Sequence, residues 1–166
     1  PSCTDNFQIV SPRFRYSELE WYSVEQAFQA LKFPSGSAAR VEIHNTRPNI
    51  GESDEEYGLR VWRLGRFAEG MREDWSQKKV KIMLLLNLAK YASDSSFQGD
   101  LMATGNQRIE GRESTWEWKY WNSCTQMLIR KILHSQEDLN SVITDVENMT
   151  DDEVEIMLET ANVSDS

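Results

Sequence analysis

The chain has 166 residues and a mass of 19.3 kDa, which is room for one domain with a hydrophobic core. No apolar run approaches the roughly 20 residues of a membrane span, and no basic-then-apolar segment opens the chain, so we expect a soluble intracellular protein, cytoplasmic or nuclear. Two cysteines and two histidines are too few for a disulfide framework or a zinc site, so we expect no metal and no cofactor.

The net charge of −9 is concentrated at one end of the chain. Residues 137–166 contain ten acidic residues and no Lys or Arg, which leaves residues 1–136 close to neutral. The same thirty residues contain no aromatic side chain, whereas all six tryptophans lie between positions 21 and 121. We therefore divide the chain into a body (1–136) and an acidic tail (137–166). A near-neutral body can still present a local basic surface to a phosphate-bearing ligand.

The predicted elements of the body are one short hairpin and a series of helices. The hairpin covers residues 14–21, and the first helix starts at Ser23 and Gln26, which form a capping-box pattern, and ends before Pro34. Apolar spacing predicts further helices at 38–45, 54–62, 74–92, 97–103 and 127–133. The Leu64-Gly65-Arg66 segment predicts a break after the third helix. The helix at 74–92 has the strongest pattern and is predicted to lie at the centre of the core.

The acidic tail contains two amphipathic helical patterns. Its apolar residues recur at helical spacing from Leu139 to Val146, and Thr150 with Glu153 repeats the capping-box pattern before a second apolar stripe. Two interpretations are open: the helices pack back on the body, or they form a mobile acidic arm that binds a partner protein.

Glu25, Gln29 and Lys32 form one polar row on the first predicted helix. A carboxylate and a lysine about 10 Å apart along a helix can both reach one small ligand and do acid, base or imine chemistry. An ordinary solvated helix face would have the same spacing.

The segment from Trp116 to Asn122 contains four aromatic residues in six positions. It is interpreted either as a stacking wall for a base or nucleotide, with Arg108 and Arg112 as phosphate partners, or as a core strand. A second basic group, Arg60, Arg63 and Arg66, forms one helical edge, which is also typical of a solvated face.

Several segments, in order, resemble the motifs of the NADAR (YbiA-like) family. The segment Tyr22 to Phe33 resembles the family's signature helix, T-x-E-H-x-F-Q-A-x-K-F. Asp5-Asn6-Phe7 resembles its S-N-F entry, and Leu64-Gly65-Arg66 its L/M-G-R. Further similarities lie at Arg72 to Met83, at Ala89-Lys90-Tyr91 and at Leu101 to Glu110. The resemblance covers roughly residues 5–133 and leaves the acidic tail uncovered.

The resemblance implies a mainly helical α+β single domain with a small β-sheet, and cleavage of an N-glycosidic bond. It implies that Glu25 is the acid or base and that Lys32 engages ribose C1. It also implies the ligand-binding residues Asn6, Phe7, Gln29, Arg66, Lys78, Trp116, Trp118 and Asn122. The chain departs from the family in two places: Gln26 stands where a histidine is usual, and the family's glycine-rich stretch is replaced by the bulky segment 116–125.

The function expected from this resemblance is removal of ADP-ribose from a modified base, preferentially guanine in nucleic acid. The expected partner is therefore an ADP-ribose-bearing nucleotide or ADP-ribosylated DNA or RNA, with no membrane and with a possible protein partner for the tail. Three alternatives remain: a non-catalytic module that binds ADP-ribose, an N-glycosidase of phosphorylated riboflavin-pathway intermediates, and a structural interaction protein that uses its acidic helices.

Overall fold

The computed structural model describes residues 1–111 and 115–164 and shows a mainly helical α+β protein. Two short strands, β1 (Phe14–Tyr16) and β2 (Leu19–Trp21), form the only sheet within these residues. The helices are α1 (Val24–Leu31), α2 (Ala38–His44), α3 (Asp54–Phe67), α4 (Trp75–Ala92), α5 (Ser95–Met102), α6 (Trp116–His134), α7 (Leu139–Glu147) and α8 (Asp151–Ser164). The fold class predicted from the sequence is confirmed.

The hairpin is closed by a two-residue turn and anchored by buried aromatic side chains. Ser17 and Glu18 both have positive φ, at 55° and 64°, which matches the right-handed twist of the two strands. Phe14 pairs with Trp21 in the antiparallel register, and both side chains are fully buried. The outer residue pair of the hairpin therefore lies in the core, and Trp21 lies just before the start of α1.

Helix α4 lies at the centre of the molecule and separates two hydrophobic clusters. Leu84 and Leu88 face a cluster shared with α6, α7 and α8, whereas Met83 and Leu86 face a cluster shared with α1 and the hairpin. Residues 82–91 of α4 are all buried, so this part of the helix has to be covered on every side. The elements before and after α4 in the chain provide these two covers.

The two acidic helices pack back on the body, as the first interpretation of the tail expects. Val146, Val154 and Leu158 are buried in the same cluster as Leu84. The Lys81 ammonium donates to the carbonyl oxygens of Glu147 and Met149, at 3.0 and 2.6 Å, where α7 ends. The apolar stripe is therefore buried, and many of the acidic side chains face solvent.

Two predicted boundaries are wrong. Helix α3 continues through Gly65 to Phe67, because this glycine lies where α3 packs closely on α1. The aromatic segment is the first part of α6 and not a core strand: Thr115 caps the helix by accepting from the Trp118 amide. A helix can point its aromatic side chains in several directions, whereas a strand has two faces. None of the helices in the described ranges has the length and apolar character needed to cross a membrane.

Candidate functional site

The polar row on α1 lies inside the protein. Ser23 caps the helix by accepting from the Gln26 amide, and the whole of α1 is buried. Glu25 is 7% exposed and Gln29 2% exposed, and the Gln29 Nε2 donates to Glu25 Oε1 at 2.8 Å. The interpretation of this row as a solvated helix face is therefore wrong for Glu25 and Gln29. Lys32, one turn further along, is partly buried.

The two ionisable groups of the row have shifted pKa values. Burial raises the pKa of Glu25 from 4.5 to about 7, although the Gln29 hydrogen bond and the Lys32 charge favour the carboxylate. Burial also lowers the pKa of Lys32, and the nearby Arg66 guanidinium lowers it further, while the Glu25 charge opposes both. A carboxyl that holds its proton near neutral pH thus lies beside a lysine that loses its proton more easily than usual.

Helix α3 packs closely against this site because it has glycines at two contact positions. A side chain at Gly65 would collide with Gln29, and a side chain at Gly58 would collide with the Phe7 ring. The close approach places Arg66, the next residue after Gly65, within electrostatic reach of Lys32. The Arg66 guanidinium lies over the Trp62 ring, 5.3 Å from its centroid.

The N-terminal segment joins the site from the other side. The Asn6 carbonyl accepts from the backbone N–H of Glu25 at 3.0 Å, and the Asn6 Nδ2 donates to Asn122 Oδ1 at 3.3 Å. The buried Lys90 ammonium donates to the carbonyl oxygens of Cys3 and Asp5, which fixes the turn just before Asn6. Asn6 and Asn122, two residues predicted to bind ligand, are thereby brought to the start of α1.

Trp118 also packs on α1. Its ring meets Phe28 edge to face, with centroids 5.2 Å apart and an interplanar angle of 85°. Trp118 remains partly exposed, and Lys79 Nζ lies 5.9 Å from its ring centroid. The Trp118 ring of α6 therefore provides an aromatic stacking surface on α1, the helix that carries the polar row.

The other predicted residues are not joined to this group by any hydrogen bond or ion pair within the described ranges. Trp116 is 84% exposed. Lys78 forms an ion pair with Asp151 of α8 at 3.0 Å. Arg108 pairs with Glu110 at 3.6 Å, and Arg112 lies outside the described residues. In the second basic group, Arg60 pairs with Glu52 at 2.8 Å.

Gln26 uses both ends of its amide within the fold. Its oxygen accepts from the Tyr22 backbone N–H at 2.7 Å, and its Nε2 lies 3.1 to 3.4 Å from three carbonyl oxygens at the end of α2 and just beyond it. The residue that replaces the histidine of the NADAR pattern therefore connects α1 to α2.

Sequence reasoning did not assign the buried polar residues behind the site. Asn87 and Gln126 are 1% and 2% exposed, and they connect Asn6 to Tyr91 through side-chain hydrogen bonds. The signal was an Asn within the apolar stripe of α4, since an amide at a core position has to be hydrogen-bonded. In the part of the chain that the structure describes, no three His, Cys, Asp or Glu side chains are grouped to hold a metal ion.

The fold and site define a mainly helical α+β protein with a buried acid next to a lysine. This chain is similar to the E. coli protein YbiA, whose structure was solved by NMR, at 21% sequence identity, with 81% of this chain and 79% of that chain covered and a TM-score of 0.64. The protein therefore has a YbiA-like fold, and the resemblance drawn from its motifs is confirmed at the level of the fold. No family model matches the chain, and no curated protein matches it significantly.

Proposed function

We propose that the protein is an N-glycosidase that removes ADP-ribose from a modified base, preferentially guanine in nucleic acid, by cleaving the bond between ribose C1 and the base nitrogen. The observation that carries the proposal is the buried Glu25, with its pKa near 7, on the same side of the helix as Lys32 and about two turns before it, in a YbiA-like fold. Cleavage of this bond needs a proton for the departing base and a nucleophile at C1, and these two side chains can supply them.

In the proposed reaction, protonated Glu25 gives its proton to the base nitrogen as the C1–N bond breaks and the electron pair leaves with the base. The neutral Lys32 amine uses its lone pair to form a bond to C1, and one of its protons passes to the Glu25 carboxylate. The bond between C1 and the ring oxygen then breaks with its electron pair on the oxygen, Glu25 gives its proton to that oxygen, and the nitrogen lone pair completes a protonated imine. Water then adds to the imine carbon, which releases ADP-ribose and restores the lysine. Arg66 favours the neutral amine because it is a second positive charge near Lys32.

The decisive experiment offers the protein two substrates and follows the products by mass spectrometry. Single-stranded DNA carrying ADP-ribosylated guanine is expected to release free ADP-ribose, and a phosphorylated riboflavin-pathway intermediate is expected to stay intact. Cleavage of the flavin precursor alone would move the protein to that substrate class. Binding of ADP-ribose without cleavage of either compound would make the protein a binding module.

Glu25→Gln is expected to lower turnover of the ADP-ribosylated DNA at least 100-fold, because the amide cannot donate the acid proton. The affinity for ADP-ribose should stay within tenfold, or about 1.4 kcal/mol, because the amide has nearly the same shape. The exposed Glu73, which lies outside the site, provides the matched control Glu73→Gln. Unchanged turnover in Glu25→Gln would remove Glu25 from the mechanism.

Borohydride added during turnover is expected to reduce the Lys32 imine to a stable amine adduct. Mass spectrometry of the protein after proteolytic digestion should then find the adduct on the peptide that contains Lys32. Lys32→Ala should lose the adduct, and Lys119→Ala, which removes an exposed lysine of α6, should keep it. An active wild-type protein that gives no adduct at Lys32 would favour direct attack of water assisted by Glu25.

A further inference from the structure

A chain of hydrogen-bonded side chains runs from the core to the site. The Tyr91 hydroxyl lies 2.6 Å from Gln126 Oε1, and Gln126 Nε2 donates to Asn87 Oδ1 at 2.9 Å. Asn87 Nδ2 donates to Asn6 Oδ1 at 3.2 Å, and Asn6 Nδ2 donates to Asn122 Oδ1 at 3.3 Å. Gln126, Asn87 and Asn6 each accept through the amide oxygen and donate through the amide nitrogen, so these three amides point the same way, and Asn122 accepts at the end of the series.

The direction of this chain is fixed by a backbone carbonyl. Asn87 Nδ2 also donates to the carbonyl oxygen of Met83, one turn earlier in α4, at 3.0 Å. A carbonyl oxygen can only accept, so the group that faces it has to be the Asn87 nitrogen. The Asn87 oxygen is then left for Gln126, and its second N–H is left for Asn6. Reversing any amide would place two donors or two acceptors opposite each other.

These hydrogen bonds determine which group of Asn122, the last side chain of the series, is left without a partner. Asn122 Oδ1 is occupied by Asn6, and Asn122 Nδ2 has no hydrogen-bond partner within residues 1–111 and 115–164. Asn122 is only partly buried. The backbone N–H of Glu25 donates a hydrogen bond to the Asn6 carbonyl oxygen at 3.0 Å. This hydrogen bond holds Asn6, and with it the Asn6–Asn122 pair, at the start of α1.

We propose that Asn122 offers its Nδ2 as a hydrogen-bond donor to an acceptor oxygen of ADP-ribose, and that Asn87 is a positioning residue that sets this orientation through Asn6. The proposal rests on the proposed function for the identity of the ligand. It assigns a role to a core residue that has no contact with the ligand, and it predicts the kind of ligand atom that faces Asn122.

Two isosteric substitutions reverse the group that faces the ligand. Asn122→Asp keeps an oxygen for Asn6 and places a second oxygen toward the ligand. Asn87→Asp places an oxygen opposite Asn6, so Asn6 has to turn its amide to donate to it, and Asn122 then has to turn to donate to Asn6. Thr125→Val is the matched control, because the Thr125 hydroxyl is buried in the same helix without a hydrogen-bond partner in the described ranges.

The orientation is tested in the ligand-free protein by NMR, through hydrogen exchange of the side-chain amides. In the wild-type protein the Asn122 Nδ2 protons are expected to exchange at least tenfold faster than those of Asn6. In Asn87→Asp the exchange of Asn122 should slow by a similar factor, because its nitrogen turns inward. Asn6→Asp should have the same effect on Asn122 with Asn87 intact, and it provides the test if Asn87→Asp does not fold. Unchanged exchange of Asn122 would overturn the proposal.

The effect on the ligand is tested by calorimetric titration with free ADP-ribose. Asn122→Asp and Asn87→Asp are each expected to weaken binding at least tenfold, and Thr125→Val should stay within twofold. The double variant should bind no more weakly than Asn122→Asp alone, since Asn87 acts through Asn122. Losses that multiply in the double variant would overturn the positioning role. A wild-type protein that does not bind ADP-ribose would overturn the proposed function, while the exchange experiment would still decide the orientation of Asn122.

Discussion

Glu25 shows burial and charge acting in opposite directions on one carboxyl group. The nearby Lys32 and the hydrogen bond from Gln29 both favour the carboxylate. The pKa nevertheless rises to about 7, because removing the carboxylate from water destabilises it more than these two partners stabilise it. The cause of the shift is therefore the position of Glu25 on a fully buried helix. This position keeps a fraction of the carboxyl groups protonated at neutral pH.

The raised pKa of Glu25 predicts a pH-dependent stability. The folded state holds this proton more tightly than the unfolded state, so the stability contributed by the protonated carboxyl is present below pH 4.5 and is lost as the pH rises through about 7. Glu25→Gln does not titrate. It should match the wild-type protein near pH 4 and exceed its free energy of unfolding by about 3 kcal/mol near pH 8, measured by urea unfolding.

The control for this titration is Glu73→Gln at the exposed position. It removes a carboxyl group that lies outside the site, so the change in stability of Glu25→Gln is read relative to this variant at each pH. A difference between Glu25→Gln and the wild-type protein that does not grow from pH 4 to pH 8 would show that the carboxyl is not desolvated.

Helix α3 shows how glycine can serve packing inside a helix. Gly58 and Gly65 are seven residues apart, which is close to two turns, so they lie on the same face of the helix. The missing side chains let this face approach Phe7 and Gln29. Gln29 is the donor to Glu25, so the same contact that joins two helices also supports the candidate acid.

Gly65→Ala is expected to lower the free energy of unfolding by roughly 1–3 kcal/mol, because the added methyl group collides with the buried Gln29 amide. Gly99→Ala in α5 is the matched control: its methyl group would meet nothing within 4 Å. It should leave stability unchanged or raise it by up to about 1 kcal/mol, since alanine favours the helix. Urea unfolding of both variants checks the pair, and equal effects would contradict the close packing of α3 on α1.

At the scale of the whole molecule, α4 joins the site to the acidic helices. One side of α4 covers the cluster that contains α1, and the other side covers the cluster that contains α7 and α8. The acidic helices contribute buried aliphatic side chains, and Asp151 pairs with Lys78 of α4 at 3.0 Å. The negative charge of the chain is therefore carried by elements that also complete its core.

Leu158→Ala tests this contribution. Leu158 is fully buried, so its truncation should lower the free energy of unfolding by about 2–5 kcal/mol. Ile156, on the same helix and 62% exposed, gives the control Ile156→Ala, with an expected loss below about 1 kcal/mol. A small and equal loss in both variants would mean that α8 contributes little to the core.

The positions of most elements could be predicted from local pattern. The hairpin, the cap at Ser23 and the long apolar stripe of α4 depend on neighbouring residues alone, so their periodicity and capping signals were sufficient. The end of α3 and the start of α6 could not be predicted in this way. Gly65 has the local character of a helix break, but it lies where α3 packs closely on Gln29 of α1. Four aromatics close together have the local character of a strand, but they follow the cap at Thr115 and begin a helix, on which Trp118 packs against Phe28.

The sequence by itself determined the fold class, the polar row on the first helix and the resemblance from which the proposed chemistry of that row is drawn. Only the tertiary structure decided that Glu25 and Gln29 are buried and that Asn6 meets Asn122, 116 positions away. It also revealed the amide chain through Asn87. The physical reason is that spacing along a helix defines which side chains share a face, whereas desolvation and hydrogen bonding depend on the elements that cover that face.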